Sequence, residues 1–169
     1  FYFLPNPMKA LSPAAQDYRK KMTNPVIFWL AMLVKLPTAI FWKLRIKKLE
    51  TDSCEVTIPY FWRSQNPFKS IYFAALAGAA ELSTGALCQL ALAGKGSFSM
   101  LVVDFRAEYF KKANTKITFS CDQGVELFDL IEKLGPGATD QLTMISTGKN
   151  TSGETVAKFH ITWSFKRKS

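Results

Sequence analysis

Histidine is almost absent from this chain of 169 residues, and the single one, His160, lies near its end. It falls on the polar side of a strand pattern with no partner motif, which leaves it a structural residue. Cysteine is scarce as well. Cys54, Cys88 and Cys121 are odd in number and lack C-x-x-C spacing, which disfavours a zinc site or a disulfide framework and fits a reducing, cytoplasmic setting. Acidic residues are few, 13 against 22 lysines and arginines, for a net charge of +9. That excess asks for an anionic partner: a phosphorylated cofactor, a nucleic acid or a membrane surface. The cations are scattered and no recognition motif is present, so a nucleic-acid partner is not expected. A membrane-spanning helix needs about 20 apolar residues in a row. The first candidate, residues 25–46, is apolar from Val26 to Val34 and is then broken by Lys35 and Pro37. It reads as an amphipathic helix or two short helices packed on the body, with no integral span expected and peripheral membrane contact as the rival. Internal repeats, low-complexity tracts and linkers are all missing, and so is an initial methionine. Residues 1–22 are read as a native extension or an expression remnant, and residues 23–169 as a single domain with an N-terminal helical segment over 23–44.

What is present is apolar and aromatic. At 48% hydrophobic and 14% aromatic residues, the chain has enough for one proper core. Residues 45–60 alternate around Thr51-Asp52-Ser53 and predict two tightly joined strands. Further strands are predicted over 97–110, 114–121, 138–147 and 154–166, with a short helix over 124–134 closed by Gly135-Pro136-Gly137. In the first of these, Leu101, Val103, Phe105, Ala107 and Tyr109 share one face, and Asp104, Arg106 and Glu108 the other. In the last, Ala157, Phe159, Ile161, Trp163 and Phe165 share a face. Strands and helices do not alternate, so the arrangement is antiparallel α+β with one long helix.

That helix is the stretch 66–92, NPFKSIYFAALAGAAELSTGALCQLAL. It opens on an Asn-Pro turn signal and carries one charge after its first turn, Glu81. At 100° per residue, the face centred on Glu81 holds Ser70, Ala74, Ala77, Gly78, Gly85 and Cys88, all small. The opposite face holds Tyr72, Leu76, Ala79, Leu87 and Leu90, which suits packing on a sheet. A lone carboxylate in an apolar hollow costs several kcal/mol unless it is paired, hydrated or protonated. That makes Glu81 a candidate for chemistry.

The stretch resembles the hot-dog fold, in which a curved antiparallel sheet of about six strands wraps one long helix. Asn66-x(5)-Tyr72-Phe73-x(7)-Glu81 is similar to the active-site pattern of PaaI-like acyl-CoA thioesterases, where an Asn precedes a His-Gly-Gly at the helix start and an Asp or Glu follows along the helix. The Ser-Ile-Tyr-Phe, Ala-Glu-Leu, Asp-Phe-Arg-Ala-Glu-Tyr and closing Thr-Trp-Ser-Phe wording resembles a branch of that superfamily, the DUF4442 proteins. Tyr72-Phe73 departs from the pattern by standing where the thioesterases have His-Gly. Dehydratases of the same fold need a histidine near the helix start, which this chain lacks.

The resemblance implies thioester hydrolysis with no cofactor, the acyl-CoA or acyl-carrier thioester being substrate or ligand. Glu81 is then the general base or nucleophile. The Phe73 N–H, in the unpaired first turn, is the oxyanion donor, and Asn66 holds the water or the carbonyl. Ser70, Tyr72 and the hollow of Ala74, Ala77, Gly78 and Gly85 receive the substrate, while Arg106, Lys111 or Lys112 meets the CoA phosphates. It also implies a homodimer, or a dimer of dimers, with the site built from both subunits. Each assignment has a rival. Glu81 pairs with Arg106 to hold the dimer; Asn66 only starts the turn before Pro67; Lys111-Lys112 is a solvated turn; the hollow is a close helix contact. The rival function is a non-catalytic acyl-CoA or lipid-binding protein.

Overall fold

The computed structural model describes residues 10–169. Three helices open it, and each starts on a proline: α1 (Pro13–Thr23), α2 (Pro25–Lys35) and α3 (Pro37–Phe41). Proline suits a first helical position because its missing N–H would have no partner there. Ser12 caps α1 by accepting the Ala15 N–H at 3.1 Å. Asn24 caps α2, its Oδ1 accepting from Val26 and Ile27 at 3.0 and 3.1 Å. The boundary expected at residue 22 is not where the body begins. α1 packs on it, with Ala15 buried, the Ser12 hydroxyl donating to the Ala93 carbonyl at 3.0 Å and Arg19 paired with Glu50. The rest of that stretch, residues 1–9, lies outside the described residues.

The remaining elements follow the predicted order. They are β1 (Arg45–Leu49), β2 (Cys54–Ile58), α4 (Phe73–Leu92), β3 (Phe98–Tyr109), β4 (Ile117–Cys121), α5 (Gly124–Lys133), β5 (Thr139–Lys149) and β6 (Thr155–Arg167). The strands form one six-stranded sheet in the order β1-β2-β4-β5-β6-β3. Every pairing in it is antiparallel. α4 crosses one face of this sheet, burying Leu76, Ala79, Leu87 and Leu90 as the periodicity predicts. The inward side of β6, Ala157 to Phe165, is buried against it. This is the hot-dog arrangement, α+β with one central helix and N-terminal helices added.

β3 departs from the simple alternation. Its register against β6 slips between Val102 and Asp104, leaving Val103 as a bulge. A bulge of one residue exchanges the faces on either side of it. Met100 and Val102 stand opposite Phe165 and Trp163, and Phe105 and Ala107 opposite Ile161 and Phe159, all on the core face. Leu101 stands opposite Ser164, on the outer face that also carries Arg106. Leu101 therefore does not share a face with Phe105, Ala107 and Tyr109.

Candidate active site

The helix expected from residue 66 begins at Phe73. The seven residues before it are held in a loop by Asn66, whose Oδ1 accepts from the Phe68 N–H at 3.0 Å, the Ser70 N–H at 3.2 Å and the Ser70 hydroxyl at 3.2 Å. Lys69 takes a left-handed conformation at φ 58°, and Gln65 bridges to Ile71. An Asx turn offers the backbone an alternative to the helix, and here the alternative wins. Ser70 and Tyr72 are thus loop residues and not members of the helical faces. The loop is pinned on both sides: Ile71 N–H donates to Ala113 at 2.8 Å and Tyr72 N–H to the Ser64 carbonyl at 2.7 Å.

Tyr72 is the N-cap of α4, and no side chain caps the helix. Among the described residues the N–H groups of Phe73 and Ala74 donate to no backbone carbonyl. These are the orphan donors of a helix start, and they carry its positive end. The helix start forms one wall of a cleft of about 580 Å³. Asn66, Ser70, Tyr72 and Phe73 meet Tyr109, Lys111 and Lys112 there. Lys111 is already paired with Glu154, and Lys112 reaches the Phe68 carbonyl at 3.3 Å. Lys112 thus lies at the cleft free of any carboxylate among the described residues.

Glu81 lies elsewhere. Eight residues of helix separate it from Phe73, about 12 Å at 1.5 Å per residue. Its carboxyl group makes no hydrogen bond or ion pair among the described residues. Burial pushes its pKa up. A methyl group built on Gly85 would lie 3.2 Å from Glu81 Oε1 and 3.4 Å from the Trp163 ring, so carboxylate and indole both lie beside that glycine. Trp163 is held there by its own N–H, which donates to Thr84 Oγ1 at 2.9 Å. Tyr18 of α1 borders the same region. Burial pushes its phenol up, and the nearby Glu81 carboxylate pushes the same way.

The predicted hollow is only partly open. Ala74, Ala77, Gly78 and Glu81 form the half-buried stripe of α4, while Gly85 and Cys88 are fully buried. Gly78 is covered by Trp42, whose ring would stand 2.8 Å from a Cβ at that position. Arg106 is on the outer face of the sheet, 3.1 Å from Glu108, which His160 also contacts at 2.8 Å. Arg106 therefore neither pairs with Glu81 nor reaches the cleft. The structure brings together Asn66, Ser70, Tyr72, Phe73, Lys111 and Lys112, and leaves Glu81 and Arg106 apart from them. Sequence reasoning did not place Trp42 and Trp163 against the Glu81 face of the helix. Gly78 and Gly85, seven residues apart on one helix face, were the signal, since a glycine in a core helix marks something large lying against it.

Comparison with known proteins agrees with this architecture. A family model described as a domain of unknown function, DUF4442, matches residues 25–165. The fold is similar to that of a protein of unknown function and probable thioesterase from Pseudomonas aeruginosa, at 19% identity over 86% of this chain and 98% of that chain, TM-score 0.70. It is similar to a thioesterase from Haemophilus influenzae, at 16% identity over 82% and 88%, TM-score 0.64. It is also similar to a thioesterase enzyme from Staphylococcus aureus, at 14% identity over 77% and 98%, TM-score 0.61. At these identities the likeness is one of fold. No curated protein sequence matches the chain. With its family model covering most of the domain, the chain belongs to the DUF4442 family.

Proposed function

We propose that the protein is a thioesterase of the acyl-CoA class, working as a homodimer. The observation that carries this reading is Glu81, a carboxyl group in an apolar wall, with a raised pKa and no partner among the described residues. A carboxylate so placed is a stronger base than a solvated one, which suits it to activate water or attack a thioester carbonyl. The free N–H groups at the start of α4 suit the developing oxyanion. Asn66 fixes the loop that aims them. Lys112 is the cation left to meet a CoA phosphate.

Two further points support the reading. The Staphylococcus aureus thioesterase has been crystallised with a glutamine and, separately, a glutamate fifteen positions further on replaced by alanine; Asn66 and Glu81 are also fifteen positions apart. The separation of Glu81 from the Phe73 N–H within one chain fits a site shared by two. An antiparallel pair of α4 helices related by a two-fold axis near Ala77 would set Glu81 of one copy opposite Phe73 of the other. Ala74 and Ala77 of the half-buried stripe are small enough for that approach, Gly78 being covered by Trp42.

The test is free-thiol release from acyl-CoAs of increasing chain length, wild type beside Glu81→Ala. Turnover that Glu81→Ala removes, with substrate binding kept, is the expected result. One observation favours a second reading, acyl-CoA binding without hydrolysis: the exposed ring of Phe73 crowds the cleft where a thioester would approach. Saturable binding with no turnover for any chain length would establish that reading and sink the first.

A further inference from the structure

A second cleft, of about 850 Å³, lies between the α2–α3 hairpin and the end of the sheet. Trp29, Leu33 and Phe41 give it an apolar side. Lys43, Arg45, Arg63 and Lys116 give it a cationic one, and among the described residues no carboxylate lines it. None of these four cations forms an ion pair among the described residues. Arg63 is stacked among rings, 4.9 Å from the centre of Phe61 and 5.6 Å from those of Phe41 and Trp62. Its Nε is buried without a hydrogen-bond partner among the described residues.

Beside this cleft α2 is turned inside out. It buries Phe28 and Met32 and leaves Val26, Leu30 and Val34 at 66%, 56% and 83% exposure, with Trp62 at 72% close to the cleft's arginine. An aliphatic face of that kind on a folded domain marks an interaction surface. The charge pattern narrows what it meets. Between Asp17 and Glu50 the chain has eight lysines and arginines and no carboxylate. A second copy docked symmetrically here would set like charges against like, since such an interface brings the same patch to both sides. A nucleic acid would satisfy the cations and leave the aliphatic side chains in water. An anionic lipid bilayer satisfies both, with acyl chains for α2 and headgroup phosphates for the cleft. α2 has 11 residues, about 16 Å of helix against a hydrocarbon core of about 30 Å, so it lies in the interface and does not cross.

We propose that α2, α3 and the cleft of Lys43, Arg45, Arg63 and Lys116 form a docking face for anionic phospholipid membranes. This stands on the surface alone and is independent of the thioesterase reading. The test is flotation of the full chain with vesicles of phosphatidylcholine, alone or with about 30% phosphatidylserine. The chain is expected to float with the anionic vesicles only, and to be released by high salt. Leu30→Asp with Val34→Asp removes flotation. Lys43→Glu with Lys116→Glu weakens it by about thirtyfold or more. Val125→Asp, at an exposed apolar position on α5, changes nothing. All these positions face solvent, so melting temperatures near that of wild type show that loss of flotation is not unfolding. Absence of flotation, or equal flotation by all variants, overturns the proposal. So does a fall in solution mass with the α2 variant and no change in flotation, which would make the face an interface between copies.

Discussion

Glu81 is held in an environment that disfavours its charge, and the direction of its shift fixes how stability depends on pH. Burial raises its pKa in the fold above the ordinary carboxylate value of about 4.3 in the unfolded chain. The folded state therefore binds more protons than the unfolded state between those two values. Its contribution to stability is fully present below the unfolded pKa and is lost as pH rises through the folded one. Glu81→Gln keeps the shape and removes the titration. It is expected to melt higher than wild type at neutral pH, with the advantage vanishing near pH 4, as thermal melts across that range will show. The same variant is expected to lose about 10²–10⁴-fold in turnover if Glu81 is the base. Gain of stability with loss of activity separates a strained functional group from a structural one. Asn66 calls for the opposite design. Asn66→Ala removes the acceptor of three hydrogen bonds and is expected to cost about 1–2 kcal/mol, a fall of roughly 2–8 °C in melting temperature. Asn66→Asp keeps the acceptor and so the turn. If Asn66→Asp restores stability but not turnover, the side chain acts on the substrate as well as on the loop.

At the scale of elements, α4 fits its neighbours through its glycines. A Cβ at Gly78 would stand 2.8 Å from the Trp42 ring. Gly78→Ala is expected to cost about 1–3 kcal/mol in overpacking because Trp42 must shift. The roughly 1 kcal/mol of helix propensity that alanine gains offsets part of that, leaving a net destabilisation of up to about 2 kcal/mol, read from denaturant midpoints. The helix itself was legible in the sequence because its period is set by sheet packing, and Leu76, Ala79, Leu87 and Leu90 repeat at that period. Its start was not, because residues 68–72 carry helix-compatible side chains while the Asn66 carboxamide makes a competing turn. The strand β6 was legible from the strict alternation of Ala157, Phe159, Ile161, Trp163 and Phe165. The bulge at Val103 was hidden because Leu101, Val103 and Phe105 keep an apolar alternation that the backbone breaks. α1 was hidden because residues 1–22 read as an extension, although Ala15, Tyr18 and Met22 recur at helical spacing and pack on the core. Of the candidate site, Phe73 and Glu81 were visible as residues, and their spacing of eight already sets them about 12 Å apart on one helix; the pairing of Lys111 with Glu154 and of Arg106 with Glu108 emerged only in the fold.

For the molecule as a whole, β3 poses the question of what completes it. It is a 12-residue strand at the edge of the sheet, with Leu101, Val103, Phe105 and Tyr109 exposed. A long apolar edge of this kind is a template for another strand. Pairing of two β3 edges around a two-fold axis would close both sheets into one and bring the α4 stripes together. The solution mass is expected to be that of two chains, and Leu101→Lys with Val103→Lys to halve it. If the site is shared, defects in different parts of it complement one another. Phe73→Pro removes the oxyanion N–H at a first helical position, where proline is tolerated, and Glu81→Gln removes the base. Each variant alone should be inactive. Co-refolded in equal amounts, about half the dimers are hybrids, and each hybrid holds one site with both wild-type contributions, so about one quarter of wild-type turnover returns. A site confined to one chain would return none, because every chain in the mixture would carry a defect of its own.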